Sequence, residues 1–248
     1  MRADTAPSCT HEFRSDSLVL ELPLSQLRAR FFNSRWFRIA AAAGLSIALL
    51  FAFVFEAGMV PTSSMEGTVL VGDHLLLLKL PYGPRLPFSQ FRLPQWRTPK
   101  AGEIVAFRSP VEPGEIYLKR VIAVAGDVLE IHHGILYLNG IRMPEQYARV
   151  RALRRWSGQE NIPPLRIPAG TLFVMGDNRD NSEDSRYWGP VPVTSVVGEP
   201  IFVFWSYDAP SSAWLDPSIL HQVRLYASAL GHVTQTRWRR TGLLLCLR

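Results

Sequence analysis

The apolar residues of this chain follow one pattern before residue 57 and another after it. The run IAAAAGLSIALLFAFVF fills residues 39–55, and no charged residue lies between Arg38 and Glu56. A helix over this run is about 25 Å long, and its apolar flanks can extend it to the ~30 Å of a bilayer core. We therefore predict a transmembrane helix over residues 39–57.

Two other interpretations of this run are a buried core helix and a cleavable signal peptide. A core helix usually keeps a polar stripe, whereas this run is apolar all round. A signal peptide has a shorter apolar region and small residues at its cleavage site, but here Phe55 precedes Glu56 and Ala57. The pattern therefore favours an uncleaved anchor.

Past residue 57 the pattern changes to short apolar or alternating runs separated by Gly, Pro, Asp and Asn, which is typical of β-strands. The predicted strands are TVLVGD, HLLLLKL, GEIVAF, EIYLKRVIAVAGD, VLEIHHGILYLNG, GTLFVMGD and EPIFVFWSY. Prolines cluster in residues 80–99 and predict a long surface loop. A second loop-rich patch is predicted at residues 142–168. We expect a mostly β protein anchored by one N-terminal transmembrane helix.

The predicted organisation has four parts. An N-terminal arm covers residues 1–38, and the transmembrane helix follows. A β domain covers residues 58–207 and includes a loop-rich part at about 125–170. The remainder, residues 208–248, is a tail that is polar and irregular over 208–234 and ends in a closing strand.

Composition and charge limit the function classes. The chain has 248 residues, of which 47% are hydrophobic and 19% charged, which predicts one folded domain with appendages. The net charge of +6 is dispersed and accompanies no nucleic-acid-binding motif, so the arginines are better explained by contact with membrane lipid. Cys9 and Cys246 lie at opposite ends of the chain with no metal-ligand spacing. We expect no disulfide framework, metal, cofactor or nucleic-acid partner.

Charges flanking the apolar run predict its orientation. Just before it lie Arg28, Arg30, Arg35 and Arg38. After it, Glu56, Glu66 and Asp73 come before the first lysine, Lys79. Positive charge remains on the cytoplasmic side of a membrane helix. The N-terminus is therefore predicted in the cytoplasm, and the β domain outside the cell membrane.

Three stretches carry candidate chemistry. MVPTSSMEGTVLVGD, residues 59–73, holds adjacent serines without a Gly-x-Ser-x-Gly elbow or a histidine partner. In EIYLKRVIAV the period of two places Lys119 on one strand face with Tyr117, Val121 and Ala123. Such a lysine is either an exposed edge charge or a buried base, because burial lowers the pKa of an amine. A neutral amine can accept a proton from a serine hydroxyl.

The third stretch, GDNRDNSEDSRYWG at residues 176–189, concentrates short polar side chains and arginines in one loop. It could be a solvated turn or a calcium loop, but the EF-hand spacing is missing. The alternative is a hydrogen-bonded network that holds a site in place.

Together these stretches resemble the bacterial type I signal peptidases, membrane-anchored serine proteases that use a Ser-Lys dyad. PTSSMEGTVLVGD is similar to the family's nucleophile segment, KRVIAVAGD to its general-base segment and GDNRDNSEDSRYWGPVP to its signature loop. The resemblance covers roughly residues 57–207. It implies an extracytoplasmic β-rich catalytic domain of the signal peptidase type that removes signal peptides from exported preproteins.

The resemblance also implies roles for particular residues. Ser64 matches the nucleophile, Lys119 the general base, and Thr62 the residue whose hydroxyl joins the Ser64 N–H in the oxyanion hole. Ser182 matches the hydroxyl that orients the lysine, while Asp184 and Arg186 match a supporting ion pair. The substrate is expected along Met59, Val60 and Pro61 and beside Tyr117 and Leu118. Val60, Met65 and Leu118 would wall a shallow pocket for small side chains.

Other functions remain open at this stage. A histidine-activated serine could draw on His74, His132, His133, His221 or His232, although adjacent strand residues such as His132 and His133 face opposite ways. Self-cleaving repressor proteases also use Ser-Lys but carry a DNA-binding segment in place of the anchor. A specialised pilus or conjugation peptidase is the closest enzyme alternative. A non-catalytic domain that binds exported chains by strand addition is the remaining one.

Overall fold

A computed structural model describes residues 35–84, 91–149, 160–216 and 218–245 of the chain. The predicted arm is outside these residues except for positions 35–38, and Cys9 and Cys246 are also outside them. The chain divides into two compact units, residues 1–47 and 48–248. The described part of the first unit is helical, and the second unit contains all the described strands.

The first helix, α1, covers Arg35–Phe53 and has no buried residue. It is long and apolar enough to cross a membrane. It ends four residues before the predicted boundary at residue 57, because strand β1 begins at Phe55 and pairs with β2. Lys79 Nζ donates hydrogen bonds to the carbonyls of Phe51 and Ala52, at 3.0 and 3.3 Å. A cation at the carbonyl end of a helix stabilises that end.

Most strands belong to one curled antiparallel sheet with the order β1-β2-β11-β3-β4-β9-β10, and β12 pairs with β11. Their bounds are β1 Phe55–Met59, β2 Asp73–Leu78, β3 Ile104–Arg108, β4 Ile116–Val124, β9 Thr171–Met175, β10 Val191–Pro192, β11 Val196–Ser206 and β12 Leu243–Leu244. The fold is therefore mostly β with one N-terminal apolar helix, as the sequence pattern predicted.

A second sheet of four strands has the order β7-β6-β5-β8. Its strands are β5 Val128–His132, β6 Ile135–Leu138, β7 Ile141–Arg142 and β8 Ile162–Arg166. The loop prediction for residues 142–168 is wrong at β8, whose sequence IPPLR contains two prolines. β8 is an edge strand that pairs with β5 alone among the described strands, and prolines are tolerated at such an edge.

The predicted strand TVLVGD instead forms turns, and β2 begins only at Asp73. The amides of Thr68 and Val69 both donate to the carbonyl of Met65. Gly72 has a φ of 83°, and a Cβ there would lie 2.1 Å from the Tyr207 carbonyl oxygen. The apolar residues of this stretch are therefore buried by a compact turn, and Val69 is fully buried.

The tail is helical where an irregular segment was predicted. Helix α3 covers Ser211–Leu215 and helix α4 covers Ile219–Gly231, while the short helix α2 at Ser185–Trp188 precedes them in the chain. Trp214 and Ala229 of the tail helices pack with Tyr207 in one buried cluster. Aromatic packing against the main sheet thus stabilises the tail helices, which the polar sequence of the tail did not indicate.

Strand β4 passes between the hydrophobic clusters. Tyr117 and Val121 pack in one cluster, but Ala123 packs in another with Ile122. The prediction that Ala123 shares their face is wrong, because the pairing of β4 with β9 shifts register between Val121 and Ala123. An irregularity of this kind breaks the period of two.

Candidate active site

The turn that contains Ser63 and Ser64, which we name the serine turn, lies between β1 and β2. The loop that begins at Gly176, which we name the signature loop, holds it in place. The Asn178 amide donates to the Ser64 carbonyl at 3.0 Å, and Asn178 Nδ2 donates to the Ser63 carbonyl at 3.0 Å. Asn181 Nδ2 donates to Ser63 Oγ at 2.7 Å. Thr62 Oγ1 is 3.5 Å from Ser64 Oγ. The turn thus presents a half-buried Ser64 from a backbone fixed on one side.

Lys119 lies on β4 opposite Val105 of β3 and is only 5% exposed. Of the two alternatives that the sequence left open, an exposed edge charge and a buried amine, the structure has the buried one. Burial lowers the pKa of Lys119 from its ordinary value to about 8, and the negative charge of Asp184 opposes this effect. The ring of Tyr117 lies 5.8 Å from Lys119 Nζ. A substantial fraction of this amine is neutral in mildly alkaline solution.

Gly176 brings the signature loop against the serine turn. A Cβ on Gly176 would lie 2.2 Å from Ser182 Oγ and 2.5 Å from the Ser64 carbonyl oxygen. Ser182 Oγ is buried, and its interaction with the Asp184 carboxylate helps to lower the pKa of that group. The absence of a side chain at residue 176 therefore allows Ser64 and Ser182 to lie close together.

Asp184 and Arg186 form a buried ion pair, with Arg186 Nε 2.8 Å from Asp184 Oδ1. Asp184 Oδ2 also accepts the Gly176 amide at 3.0 Å. Burial alone would raise the pKa of Asp184, but the hydrogen bonds and charge of Arg186 outweigh it and lower that pKa. This pair fixes the loop that carries Ser182.

A second buried ion pair joins β4 to the same loop. Arg120 follows Lys119 and donates to both oxygens of Asp177, at 2.8 and 2.7 Å. Thr68 Oγ1 donates to Asp177 Oδ2 at 2.6 Å, so the serine turn is tied to the same carboxylate. In the sequence, Arg120 belongs to the stretch EIYLKRVIAV and Asp177 to the loop GDNRDNSEDSRYWG, and nothing indicated that they pair.

The residues predicted to contact the substrate do not all pack in the same cluster. Val60, Met65 and Leu118 pack in one apolar cluster. The side chain of Met59 packs instead with the aromatic cluster of the tail. Tyr117 packs beside Phe107, and its hydroxyl donates to Glu112 Oε2 at 2.5 Å. Pro61 lies two residues after the end of β1 and is half-buried.

The histidines have partners away from Ser64. His74 Nε2 lies 2.9 Å from the Tyr226 hydroxyl, His132 pairs with Glu130, and His221 Nε2 lies 3.0 Å from the Ala213 carbonyl. No hydrogen bond joins Ser64 to a histidine within the part of the chain that the structure describes. The geometry thus gives no support to a histidine-activated serine.

Several contacts at this site have no strong sequence signal. Asn178 and Asn181 stood out only as short polar residues in a rich loop, and Gly176 only as part of a glycine-aspartate pair. Tyr147 lay in the patch that was predicted to be a loop, yet its ring contacts Arg120. Long-range contacts of this kind depend on the folded topology.

Comparison with known proteins gives consistent results. The sequence profile of the family described as signal peptidase, peptidase S26, matches residues 33–205. Probable signal peptidase I-1 of Synechocystis sp. is 34% identical over 183 residues, which cover 71% of this chain and 82% of that protein. Signal peptidase I of Pseudomonas aeruginosa is 33% identical over 197 residues, which cover 66% of this chain and 69% of that protein. The crystal structure of a signal peptidase I from Enterococcus faecalis is 32% identical and covers 42% of this chain and 97% of that one, with a TM-score of 0.37.

Proposed function

Because the chain belongs to the signal peptidase family, peptidase S26, we propose that its Ser64 and Lys119 form the dyad that removes signal peptides from exported preproteins. A member of this family is a serine endopeptidase, and a Ser-Lys dyad is typical of the family. The single observation that carries the assignment within this chain is the burial of Lys119, which lowers the pKa of its amine to about 8.

The reaction proceeds through an acyl-enzyme. Neutral Lys119 accepts the proton of Ser64 Oγ as that oxygen attacks the scissile carbonyl carbon. The resulting ammonium returns the proton to the leaving amine, which releases the mature protein. Lys119 then takes a proton from water, whose oxygen attacks the ester carbonyl carbon. The Lys119 ammonium returns that proton to Ser64 Oγ as the C–Oγ bond breaks, which frees Ser64 and releases the signal peptide with a terminal carboxyl group.

The oxyanion of the tetrahedral intermediate is stabilised by the Ser64 amide and the Thr62 hydroxyl. Thr62 is exposed and its Oγ1 lies 3.5 Å from Ser64 Oγ, so it is close enough to the reacting atom to turn toward an oxyanion. One such donor contributes about 2.7 to 4 kcal/mol of transition-state stabilisation.

Three residues of the signature loop support the dyad. The Ser182 hydroxyl, a buried oxygen on this loop, orients the Lys119 amine. The Asp184 and Arg186 ion pair holds the loop that carries Ser182. The charges of this pair act on the pKa of Lys119 in opposite directions, since Asp184 raises it and Arg186 lowers it.

The substrate binds as an added strand along Met59, Val60 and Pro61. β1 is an edge strand that pairs with β2 alone among the described strands, so its other edge is available to an extended chain. Backbone pairing gives affinity without side-chain selectivity, as a protease with many substrates requires. Selectivity comes from the wall of Val60, Met65 and Leu118, which accepts a small residue before the scissile bond.

The protein acts at a membrane as a single-pass protein with its N-terminus in the cytoplasm and its catalytic domain outside. The apolar helix α1 supports this topology, and so do the arginines before it and the acidic residues after it. Anionic lipid headgroups are the counterpart of those arginines.

Paired substitutions test the dyad in purified full-length protein with a signal-bearing preprotein. Ser64→Ala and Lys119→Met should each abolish cleavage, because one lacks the nucleophile and the other lacks the base. The exposed Ser212→Ala and the exposed Lys100→Met are matched controls that should keep most of the activity. Cleavage by Ser64→Ala, or an equal loss in Ser212→Ala, would contradict the assignment.

A further inference from the structure

The segment of residues 145–149, which we name the strap, lies in the chain between β7 and β8 of the second sheet. The reaction described above does not use it. Its backbone pairs with the signature loop, since the Arg149 amide donates to the Asp177 carbonyl at 2.6 Å. The Arg179 amide donates in turn to the Arg149 carbonyl at 3.2 Å. The strap is therefore joined to the loop that lies against Ser64.

The side chains of the strap cover two buried cations. The guanidinium carbon of Arg120 lies 4.1 Å from the ring centre of Tyr147, and that of Arg179 lies 5.8 Å from it. Glu145 accepts hydrogen bonds from both terminal nitrogens of Arg179, one of them at 2.9 Å. An aromatic face over a desolvated guanidinium is an attractive contact.

The strap also contacts the serine turn. Arg149 Nη1 lies 3.2 Å from Glu66 Oε1, two residues after Ser64. A Cβ on Gly67 would lie 3.7 Å from the Tyr147 carbonyl and from Arg149 Cδ. The strap thus contacts both segments whose relative placement defines the site, the serine turn and the signature loop.

We propose that the strap positions the nucleophile of the reaction, and that the ring of Tyr147 is its central residue. This inference rests on the proposed function of Ser64 and Lys119. The ring of Tyr147 holds the buried guanidinium groups of Arg120 and Arg179 in place. Arg120 in turn binds Asp177, and Arg179 donates to the Gly176 carbonyl. Those two residues precede Asn178, whose amide binds the Ser64 carbonyl. Tyr147 is a positioning residue because it acts through these groups.

Two substitutions at Tyr147 separate its ring from its hydroxyl. Tyr147→Leu removes the aromatic face and should lower kcat at least tenfold, with KM changed by less than about twofold, because a small misplacement of reacting groups slows the chemical step. Tyr147→Phe keeps the ring and should restore kcat to within about twofold of the original protein. Glu145→Gln keeps the volume but removes the charge facing Arg179, and should lower kcat less than the leucine substitution does.

The pH profile adds a readout that a general loss of stability does not produce. Loosening the strap admits water toward the loop, so the rise of activity in Tyr147→Leu should move to higher pH than in the original protein. Ile131→Val, a conservative change in the core of the second sheet, controls for stability and should leave kcat and the pH profile unchanged.

The same assay separates the possible failures. Absence of cleavage by the original protein, or cleavage by Ser64→Ala, would overturn the proposed function itself. Cleavage that depends on Ser64 but continues at full kcat in Tyr147→Leu would overturn the strap proposal alone. An equal loss of kcat in Tyr147→Phe, or in Ile131→Val, would also overturn it, because the effect would not then come from the ring.

Discussion

In the proposed mechanism, the pKa of one amine, that of Lys119, determines the pH range of activity. Burial holds this pKa at about 8, below the ordinary value of a lysine. The reactive form is the neutral one, so kcat/KM should rise as pH increases through about 8 and level off above it. A rate profile for the purified protein between pH 5 and 10 tests this expectation. A maximum near pH 5 would indicate a carboxylate or histidine base.

Burial of Lys119 also makes the free energy of unfolding depend on pH. The unfolded chain binds more protons than the folded one between pH 8 and the ordinary lysine pKa of roughly 10.4. The contribution of Lys119 to the free energy of unfolding is therefore unfavourable below pH 8 and improves as pH rises through this window. The lower stability below pH 8 is the consequence of keeping one amine neutral in the folded protein.

Gly176 provides a second test among single residues. A methyl group there collides with Ser182 Oγ and the Ser64 carbonyl, so Gly176→Ala should separate the serine turn from the signature loop. We expect cleavage to fall by about a hundredfold. Gly231→Ala is the matched control, because a Cβ at Gly231 meets no atom within 4 Å. Comparison of initial rates measures both, and equal activity of the two variants would contradict the expected collision.

Single residues also show where sequence analysis succeeds. The apolar residues that flank Lys119 in its strand, a local pattern, raised burial as one of two alternatives, and the structure has Lys119 buried. The placement of Ala123 did not follow from a local pattern, because the irregular pairing of β4 with β9 is a property of two strands together. Tyr147 could not be singled out, because its partners Arg120 and Arg179 are distant in sequence.

Among the secondary structure elements, too, those set by a local pattern were predicted and those set by long-range packing were not. Strands with clear alternation and glycine or aspartate boundaries, such as β3 and β9, are located by the sequence pattern. β8 was missed because prolines argue against a strand unless its position at a sheet edge is known. The tail helices were missed because their stability comes from packing on the main sheet.

Helix α3 gives a stability prediction for this tail. Trp214 is 3% exposed and packs with Tyr207 and Ala229, so Trp214→Ala should lower the free energy of unfolding by about 3 to 5 kcal/mol. Leu215→Ala changes the next residue of the same helix, which is 58% exposed, and should change it by less than about 0.5 kcal/mol. Denaturant unfolding in detergent, followed by near-UV circular dichroism, distinguishes them. Equal effects would show that the aromatic cluster does not stabilise the tail.

For the whole molecule, the membrane topology is the next expectation. Protease added to spheroplasts should digest the chain after residue 57 and leave the arm before residue 38 protected, because the arginines remain on the cytoplasmic side. Antibodies against tags at each end of the chain identify the protected fragment. Protection of the C-terminal tag with loss of the N-terminal one would reverse the orientation and place the active site in the cytoplasm.

The most direct test of the central claim is the identity of the new N-termini that the full-length protein generates. Purified protein is incubated with one preprotein and with variants altered at the residue before the expected cut, and the products are sequenced. The proposed wall of Val60, Met65 and Leu118, which pack in one apolar cluster, predicts cleavage after alanine or glycine, since forcing a larger side chain into such a pocket would cost about 1 to 3 kcal/mol. All such products should disappear with Ser64→Ala. Cleavage after large residues, or the same products from Ser64→Ala, would contradict the account.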